Sequence, residues 1–159
     1  MKKEELDDYE KARRDIYAPL ADRVPADRQD KNFVFVISCG SGWKNIIFNL
    51  VAEMDKIWTG YMRKPGRDAW KLLQLKEKFG GLRFYVQYPE SEDSDAKDRK
   101  EQSYAAIDFA ETQAWKTCER CGKEGHTMSF RYYIATVCDE CEERWKERSK
   151  KNLTPTLFG

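Results

Sequence analysis

Apolar side chains recur with a helical period in several stretches of the chain. From about Trp43 to Trp58 they return every three or four residues, which is the spacing of one buried helix face. Weaker patterns of the same kind predict helices over 4–20 and 101–115, and the charged segment Asp139 to Lys151 predicts a short closing helix. We expect the hydroxyl of Ser41 to cap the helix that begins near Trp43.

Strand-like runs lie between these helices. The run Phe33–Ile37 consists of β-branched and aromatic residues, which is typical of a buried strand. The runs Trp70–Phe79 and Leu82–Tyr88 flank the pair Gly80-Gly81 and predict a hairpin. Segments without such a pattern are expected to be connectors, loops or a tail; they are 19–30, 60–67, 91–102 and 152–159.

The predicted hairpin separates its side chains by face. With Gly80 and Gly81 as turn residues, Glu77 pairs with Phe84, and successive side chains alternate between the two faces. One face is apolar apart from Glu77, and the other is polar and basic. The apolar face consists of Leu73, Leu75, Glu77, Phe79, Leu82, Phe84, Val86 and Tyr88, and the polar face of Gln74, Lys76, Lys78, Arg83, Tyr85 and Gln87. A slip of one residue would mix the two sets, so this separation supports the hairpin.

Length and charge narrow the class of protein. The 159 residues suffice for one core with a small additional module. A formal charge of +1 argues against a protein that coats nucleic acid through its overall charge. No apolar run has the length of a membrane span, and the first residues lack the hydrophobic region of a signal peptide, so we expect a cytoplasmic protein without a membrane partner.

Four of the five cysteines form two CxxC pairs. Cys118 pairs with Cys121 and Cys138 with Cys141, in the pattern C-x2-C-x16-C-x2-C. In a reducing cytosol such knuckles favour metal ligation over disulfides, and together they supply the tetrahedral four-sulfur set that zinc prefers. We therefore predict a structural Zn2+ site, with redox dithiols or an iron cluster as the alternatives. Bound zinc would bring the net charge to about −1. The fifth cysteine, Cys39, is expected to be a core residue.

The single histidine excludes several enzyme classes. His126 lies between the two cysteine pairs and is expected at the surface, since the four-sulfur set is complete without it. One histidine cannot supply the pair that an HNH-type nuclease requires, and the sequence lacks the zinc-deaminase and HExxH signatures. Four thiolates also leave no open position for an activated water, which argues against zinc catalysis. Because the acids and bases of the sequence form no recognisable catalytic constellation, we expect no enzymatic activity.

Two basic surfaces are candidate contacts. Lys76, Lys78 and Arg83 lie beside Tyr85 on the polar hairpin face, which is interpreted either as the solvated side of a sheet or as a docking surface for an anionic partner. The segment Arg144 to Lys151 is interpreted either as a solvated helix face or as a contact for nucleic-acid phosphates.

Taken together, the motifs resemble a known group of sequences. A CGSGW turn entering a helix, QLKEKFGGLRFY, TCERCG and TVCDEC occur in this order from about Phe33 to Cys141. This arrangement resembles small uncharacterised proteins of bacteriophages and prophages that carry EKFGGLRFY followed by a CxxC pair and a second cysteine segment. Such proteins often have a tryptophan before the final pair, where this chain has Tyr132, Tyr133 and Ile134. The resemblance implies a phage-type accessory protein that acts in the bacterial host cytoplasm.

These features predict an α+β fold, in which a small antiparallel sheet with packed helices is followed by a C-terminal zinc ribbon. The predicted units are an N-terminal helix and connector (1–31), an α+β core domain (32–116), a zinc-ribbon module (117–151) and a flexible tail (152–159).

The leading functional hypothesis is a non-enzymatic binding protein that inhibits a bacterial host defence or regulatory protein, as the resemblance to phage proteins implies. The alternatives are a nucleic-acid-binding zinc ribbon and a protein that sequesters a small nucleotide near Arg83 and Tyr85. The sequence leaves the oligomeric state open.

Overall fold

The computed structural model describes residues 3–29, 36–61 and 69–151. This part of the chain contains four α-helices: α1 (Lys3–Leu20), α2 (Lys44–Trp58), α3 (Ser94–Ala114) and α4 (Asp139–Lys151). A three-stranded sheet has the order β1 (Ile37–Ser38), β2 (Lys71–Lys78) and β3 (Gly81–Gln87), and a separate hairpin consists of β4 (His126–Phe130) and β5 (Tyr133–Val137). The predicted α+β class is confirmed.

Helix α2 follows the strongest periodic pattern of the sequence. Its buried side chains are Ile47, Leu50, Val51, Met54, Ile57 and Trp58. The predicted cap is wrong, because the Ser41 hydroxyl donates to the Asp8 carboxylate of α1 at 3.0 Å, and the chain enters α2 through a short 3-10 turn without a side-chain cap. A charged acceptor makes a stronger hydrogen bond than a neutral one, so the hydroxyl ties α1 to the turn instead.

Helix α3 begins at Ser94, well before the predicted start at residue 101. The Asp93 side chain caps it by accepting a hydrogen bond from the amide of Ala96 at 2.7 Å. One turn into the helix, Arg99 forms an ion pair with Asp95 at 2.9 Å. A cap and an i,i+4 charge pair stabilise the start of the helix, where the sequence has no apolar period, which is why part of the polar stretch predicted as a loop is helical.

The predicted hairpin forms, but its turn is displaced by one residue. Glu77 lies opposite Leu82 instead of Phe84, so the two turn residues are Phe79 and Gly80, with φ of 53° and 85°. The displacement changes each cross-strand partner by two positions. Because side chains alternate with a period of two, every residue beside the turn keeps the face that the sequence predicts.

Farther from the turn, the hairpin contains a register shift between Leu72 and Gln74. Leu72 is consequently fully buried, and Leu73, which the sequence assigns to the apolar face, is only half-buried. A bulge of this kind adds one residue to one strand, and it cannot be read from alternation alone.

Strand β1 pairs with β2 in parallel, through Ile37 and Leu75, so the sheet is mixed and not wholly antiparallel as predicted. The reason is the connection: α2 lies between the two strands in sequence, and a helical crossover returns the chain in its original direction. Residues 33–35 of the predicted first strand lie outside the described residues, as do 62–67 of the predicted loop and the tail 152–159.

Two clusters of buried side chains lie within the described ranges. The larger one joins α1, α2, α3 and the three-stranded sheet; α1 contributes Ala12, Ile16 and Leu20, and the predicted core residue Cys39 is also fully buried. The smaller one consists of Cys118, Met128, Ala135, Val137, Cys138, Cys141 and Trp145. Seven residues make a small core, so a bound metal ion would supply much of the stability of this cluster.

Candidate metal centre

The four cysteines of the two CxxC pairs converge on one point. Their sulfur atoms all lie within 4.8 Å of one another, and the sulfurs of Cys121 and Cys138 are 3.5 Å apart. Around a metal ion with bonds of about 2.3 Å, tetrahedral sulfurs are roughly 3.8 Å apart, so the arrangement fits a four-thiolate site. The cysteines can therefore bind a metal ion, as the sequence predicts.

The first knuckle is a tight turn held by backbone hydrogen bonds. The amide of Gly122 donates to the carbonyl of Cys118 at 3.0 Å, and the amide of Cys118 donates to the carbonyl of Lys123 at 2.7 Å. Gly122 has a φ of 81°, in the left-handed region where a glycine carries no steric penalty. This closure turns Cys121 back towards Cys118.

The second knuckle uses the start of α4. Cys138 immediately precedes the helix, and the amide of Cys141 points at its sulfur at 3.5 Å. Burial raises the pKa of Cys138, but hydrogen bonds from this amide and from neighbouring thiols outweigh it and lower the pKa to about 7. A cysteine at a helix N-terminus is readily ionised, and the thiolate is the form that binds metal.

The turn that enters α2 docks directly on the first knuckle. The amide of Gly42 donates to the carbonyl of Glu119 at 2.7 Å, and the indole of Trp43 donates to the carbonyl of Thr117 at 2.9 Å. A β-carbon at Gly42 would lie 2.2 Å from the carbonyl oxygen of Cys118. The CGSGW motif is therefore a contact surface for the metal site.

The tip of the first hairpin also docks on the cysteine module. The Thr136 hydroxyl, in β5, donates to the carbonyl of Gly80 at 2.6 Å. A β-carbon at Gly81 would lie 2.7 Å from the ring of Trp115. The two glycines thus have different roles, since Gly80 adopts the positive φ of the turn and Gly81 makes room for the indole.

Glu77, the one acid on the apolar hairpin face, closes the turn. Its carboxylate accepts a hydrogen bond from the amide of Gly80 at 2.9 Å. The side chain is half-buried, and burial raises its pKa despite this hydrogen bond. A partner within the turn explains how the acid is accommodated there.

Sequence reasoning missed a second buried acid in the first knuckle. Burial, followed by the nearby carboxylates of Glu77 and Asp8, raises the pKa of Glu119 to about 8, and the Tyr9 hydroxyl is its hydrogen-bond donor. Glu119 is nearly fully buried. The residues that surround it come from α1, β2 and the knuckle, so the only signal in the sequence was an acid inside a CxxC pair.

The predicted binding residues lie together on the polar face of the hairpin. Lys76 is the cross-strand partner of Arg83, whose guanidinium lies 3.6 Å from the Glu111 carboxylate of α3. Tyr85 is exposed, and Lys78 lies at the tip, next to the turn. Their role in binding stays a prediction.

The second predicted basic surface is partly neutralised within its own helix. The guanidinium of Arg144 lies 3.9 Å from the Glu140 carboxylate, and the ammonium of Lys146 lies 3.5 Å from that of Glu142. Trp145 between them is buried against Phe130 in the smaller core. These pairs weaken the case for α4 as a phosphate-binding helix.

Among the helices of the described ranges, none has the length and apolarity that a membrane span requires. The chain matches no family model, and comparisons with curated proteins and with solved structures gave no match.

Proposed function

We propose that this chain is a non-enzymatic, zinc-stabilised binding protein of the phage accessory type, which binds and inhibits a bacterial host defence or regulatory protein. The observation that carries the binding role is a pair of exposed aromatic residues on two strained turns, Phe79 and Tyr132. The role in a phage rests on the motif resemblance described above.

Both aromatic residues adopt a backbone conformation that their side chains disfavour. Phe79 has a φ of 53° and Tyr132 a φ of 67°, next to Arg131 at 51°. The left-handed conformation costs about 1–2 kcal/mol per residue with a β-carbon. Burial does not offset this cost, since Phe79 is 65% exposed and Tyr132 is fully exposed.

Each of the two turns also carries a cation. The Lys78 ammonium lies 5.9 Å from the centre of the Phe79 ring, and Arg131, which precedes Tyr132, has its guanidinium 5.2 Å from the centre of the Phe130 ring. Aromatic residues and arginine are the side chains that most often dominate the energy of protein interfaces. A protein surface with apolar pockets and acidic side chains would complement these turns.

The two turns lie close enough for one partner to contact both. The first turn packs against β5 at Ala135, through Gly80, and Tyr132 immediately precedes β5. At about 3.3 Å per residue, three residues of strand correspond to roughly 10 Å. A protein interface of ordinary size is roughly 30 Å across, so it would include both turns.

The chemistry of the cysteine cluster supports zinc and a structural role. Four thiolates are the preferred ligands of structural zinc and fill its coordination shell, which leaves no position for a substrate or an activated water. Three of the four cysteines are also buried, which is the environment of a structural ion. Metal analysis of the purified protein tests this part, with one tightly held zinc per chain as the expected result.

The binding role is tested by capture of partners from a bacterial host lysate with the double variant Phe79→Ala/Tyr132→Ala. We expect the variant to lose at least about 90% of the specifically captured protein, because loss of two anchors costs more than 1.4 kcal/mol. Phe109→Ala is the matched control, since Phe109 on α3 is 67% exposed and lies in neither turn. Wild-type capture by the double variant would contradict the proposal.

Nucleic acid is the second candidate partner, because cations and exposed aromatic rings at the same two turns suit phosphate contacts and base stacking. A salt series separates the two candidates. Binding to single-stranded DNA or RNA that weakens steeply with salt, and that requires Tyr132, would favour nucleic acid over a host protein.

A further inference from the structure

A second group of metal-binding side chains lies on the outside of the cysteine module. His126 begins β4, and its two ring nitrogens face two carboxylates of α4: Nδ1 lies 3.5 Å from Asp139, and Nε2 lies 3.5 Å from Glu142. Each of the three residues offers one ligand atom, and these atoms all lie within 4.8 Å of one another. We refer to His126, Asp139 and Glu142 as the outer cluster.

The separations in the outer cluster are longer than those of hydrogen bonds. A nitrogen donor and a carboxylate oxygen that share a proton approach to about 2.7–3.2 Å, whereas both contacts of His126 measure 3.5 Å. Ligands bound at about 2.0–2.2 Å around a tetrahedral metal ion are roughly 3.3–3.6 Å apart. One metal ion can bond to only one of the two ring nitrogens. That nitrogen lies 3.5 Å from the carboxylate that faces it, which fits shared coordination, and the ligand atom of the other acid lies within 4.8 Å.

The electrostatic surroundings favour a cation at this place. The first turn of α4 contains Asp139, Glu140 and Glu142. Lysine side chains lie beside Glu140 and Glu142, but neither of the lysine contacts described involves Asp139. A filled four-thiolate site would add a further net charge of about −2 nearby.

The cysteine site holds the outer cluster in place. Asp139 and Glu142 each follow a metal-binding cysteine, Cys138 and Cys141, so the same helical turn carries both sets of ligands. Residues three apart on a helix lie on one face, which keeps the two carboxylates together. The inner site would therefore hold the helix turn on which the outer cluster is built.

We propose that the outer cluster is a second, solvent-open binding site for a divalent transition-metal ion such as Zn2+. One imidazole and two carboxylates suit zinc, cobalt and nickel better than magnesium or calcium, which prefer oxygen ligands alone. His126 is about half exposed, so water completes the coordination shell. This inference does not depend on the identity of the protein partner.

The experiment is a Zn2+ titration of protein whose cysteine site is already filled, followed by calorimetry and by NMR of the imidazole. The chain has one histidine, so every imidazole ring signal belongs to His126. We expect one further zinc per chain, with saturable shifts of these ring signals. His126→Ala and Glu142→Gln should weaken this second event by at least about tenfold and leave the first zinc in place.

Glu143→Gln is the matched control, since Glu143 is an exposed acid of the same helix that is not part of the outer cluster. This variant should still bind the second zinc ion, with an affinity lowered only by the small contribution of one surface charge. The proposal is overturned by stoichiometry that stops at one zinc, by ring signals that do not move, or by a loss in Glu143→Gln equal to that in Glu142→Gln.

Discussion

Substitution of Gly42 by alanine tests the contact between the α2 entry turn and the metal site. The new β-carbon would lie 2.2 Å from the carbonyl oxygen of Cys118 and 2.5 Å from that of Glu119. Both obstacles are backbone atoms, so no side chain can rotate away. Ordinary contact begins near 3.4 Å, and the turn and the knuckle would have to separate by about 1 Å.

Such a separation has a cost that can be bounded. Overpacking a rigid contact costs about 1–3 kcal/mol. The movement would also strain the hydrogen bonds from Gly42 to Glu119 and from Trp43 to Thr117, each of which contributes about 1 kcal/mol. We therefore expect Gly42→Ala to lower the free energy of unfolding by about 3–5 kcal/mol, and to weaken metal binding because the displaced residues flank Cys118.

Gly60→Ala is the matched control. Gly60 has a φ of 83°, but no atom of the described residues lies within 4 Å of its new β-carbon, so we expect only the conformational penalty of about 1–2 kcal/mol. Urea denaturation of the zinc-loaded proteins measures both values, and competition with a chromophoric chelator measures the zinc affinity. If Gly42→Ala destabilised the protein no more than Gly60→Ala, the turn would not be rigidly packed on the knuckle and the reasoning would fail.

Three further predictions concern stability. Thr136→Val should lower the free energy of unfolding by about 1–3 kcal/mol in urea denaturation, because it leaves the Gly80 carbonyl without its buried donor, whereas the exposed Thr127→Val should change it little. Tyr132→Gly should raise the free energy of unfolding by about 0.5–1 kcal/mol, because relief of the left-handed conformation exceeds the added entropy of the unfolded chain. A loss of stability would show that the turn is not strained. In the folded protein Glu119 keeps its proton up to about pH 8, whereas in the unfolded chain it releases the proton near its ordinary pKa of 4.5. Folding therefore takes up a proton between these two pH values. As a result, the free energy of unfolding should fall as the pH rises through this window. Glu119→Gln should flatten that slope in the zinc-loaded protein, and an unchanged slope would exclude Glu119 as its source.

Several features of this protein could be predicted because they depend on residues that are near one another in the sequence. The cysteine ligands are recognisable because each knuckle brings its own two sulfurs together within four residues. Helix α2 is recognisable because its buried face repeats with the helical period. Between the bulge and the turn, the two faces of the first hairpin were assigned correctly, because alternation along a strand is itself a local property. Leu73 at the bulge and Phe79, which is an exposed turn residue, were assigned to the wrong face.

The register of that hairpin depended on an interaction outside it. A Gly-Gly turn is the expected choice where two residues need positive φ, yet the chain places Phe79 in the first position and uses Gly81 for packing against Trp115. The start of α3 was missed for a different reason, since a cap and a charge pair stabilise first turns that have no apolar period.

The sequence by itself determined the metal ligands, the main helices and the polarity of the hairpin, because each follows from residue types at short spacing. Only the tertiary structure decided which residues of other elements those elements contact. It placed Gly42 against the knuckle, Glu119 beside the carboxylates of Glu77 and Asp8, and His126 between two acids of α4. These residues lie on different elements, and their contacts arise from the packing of those elements, which no local pattern records.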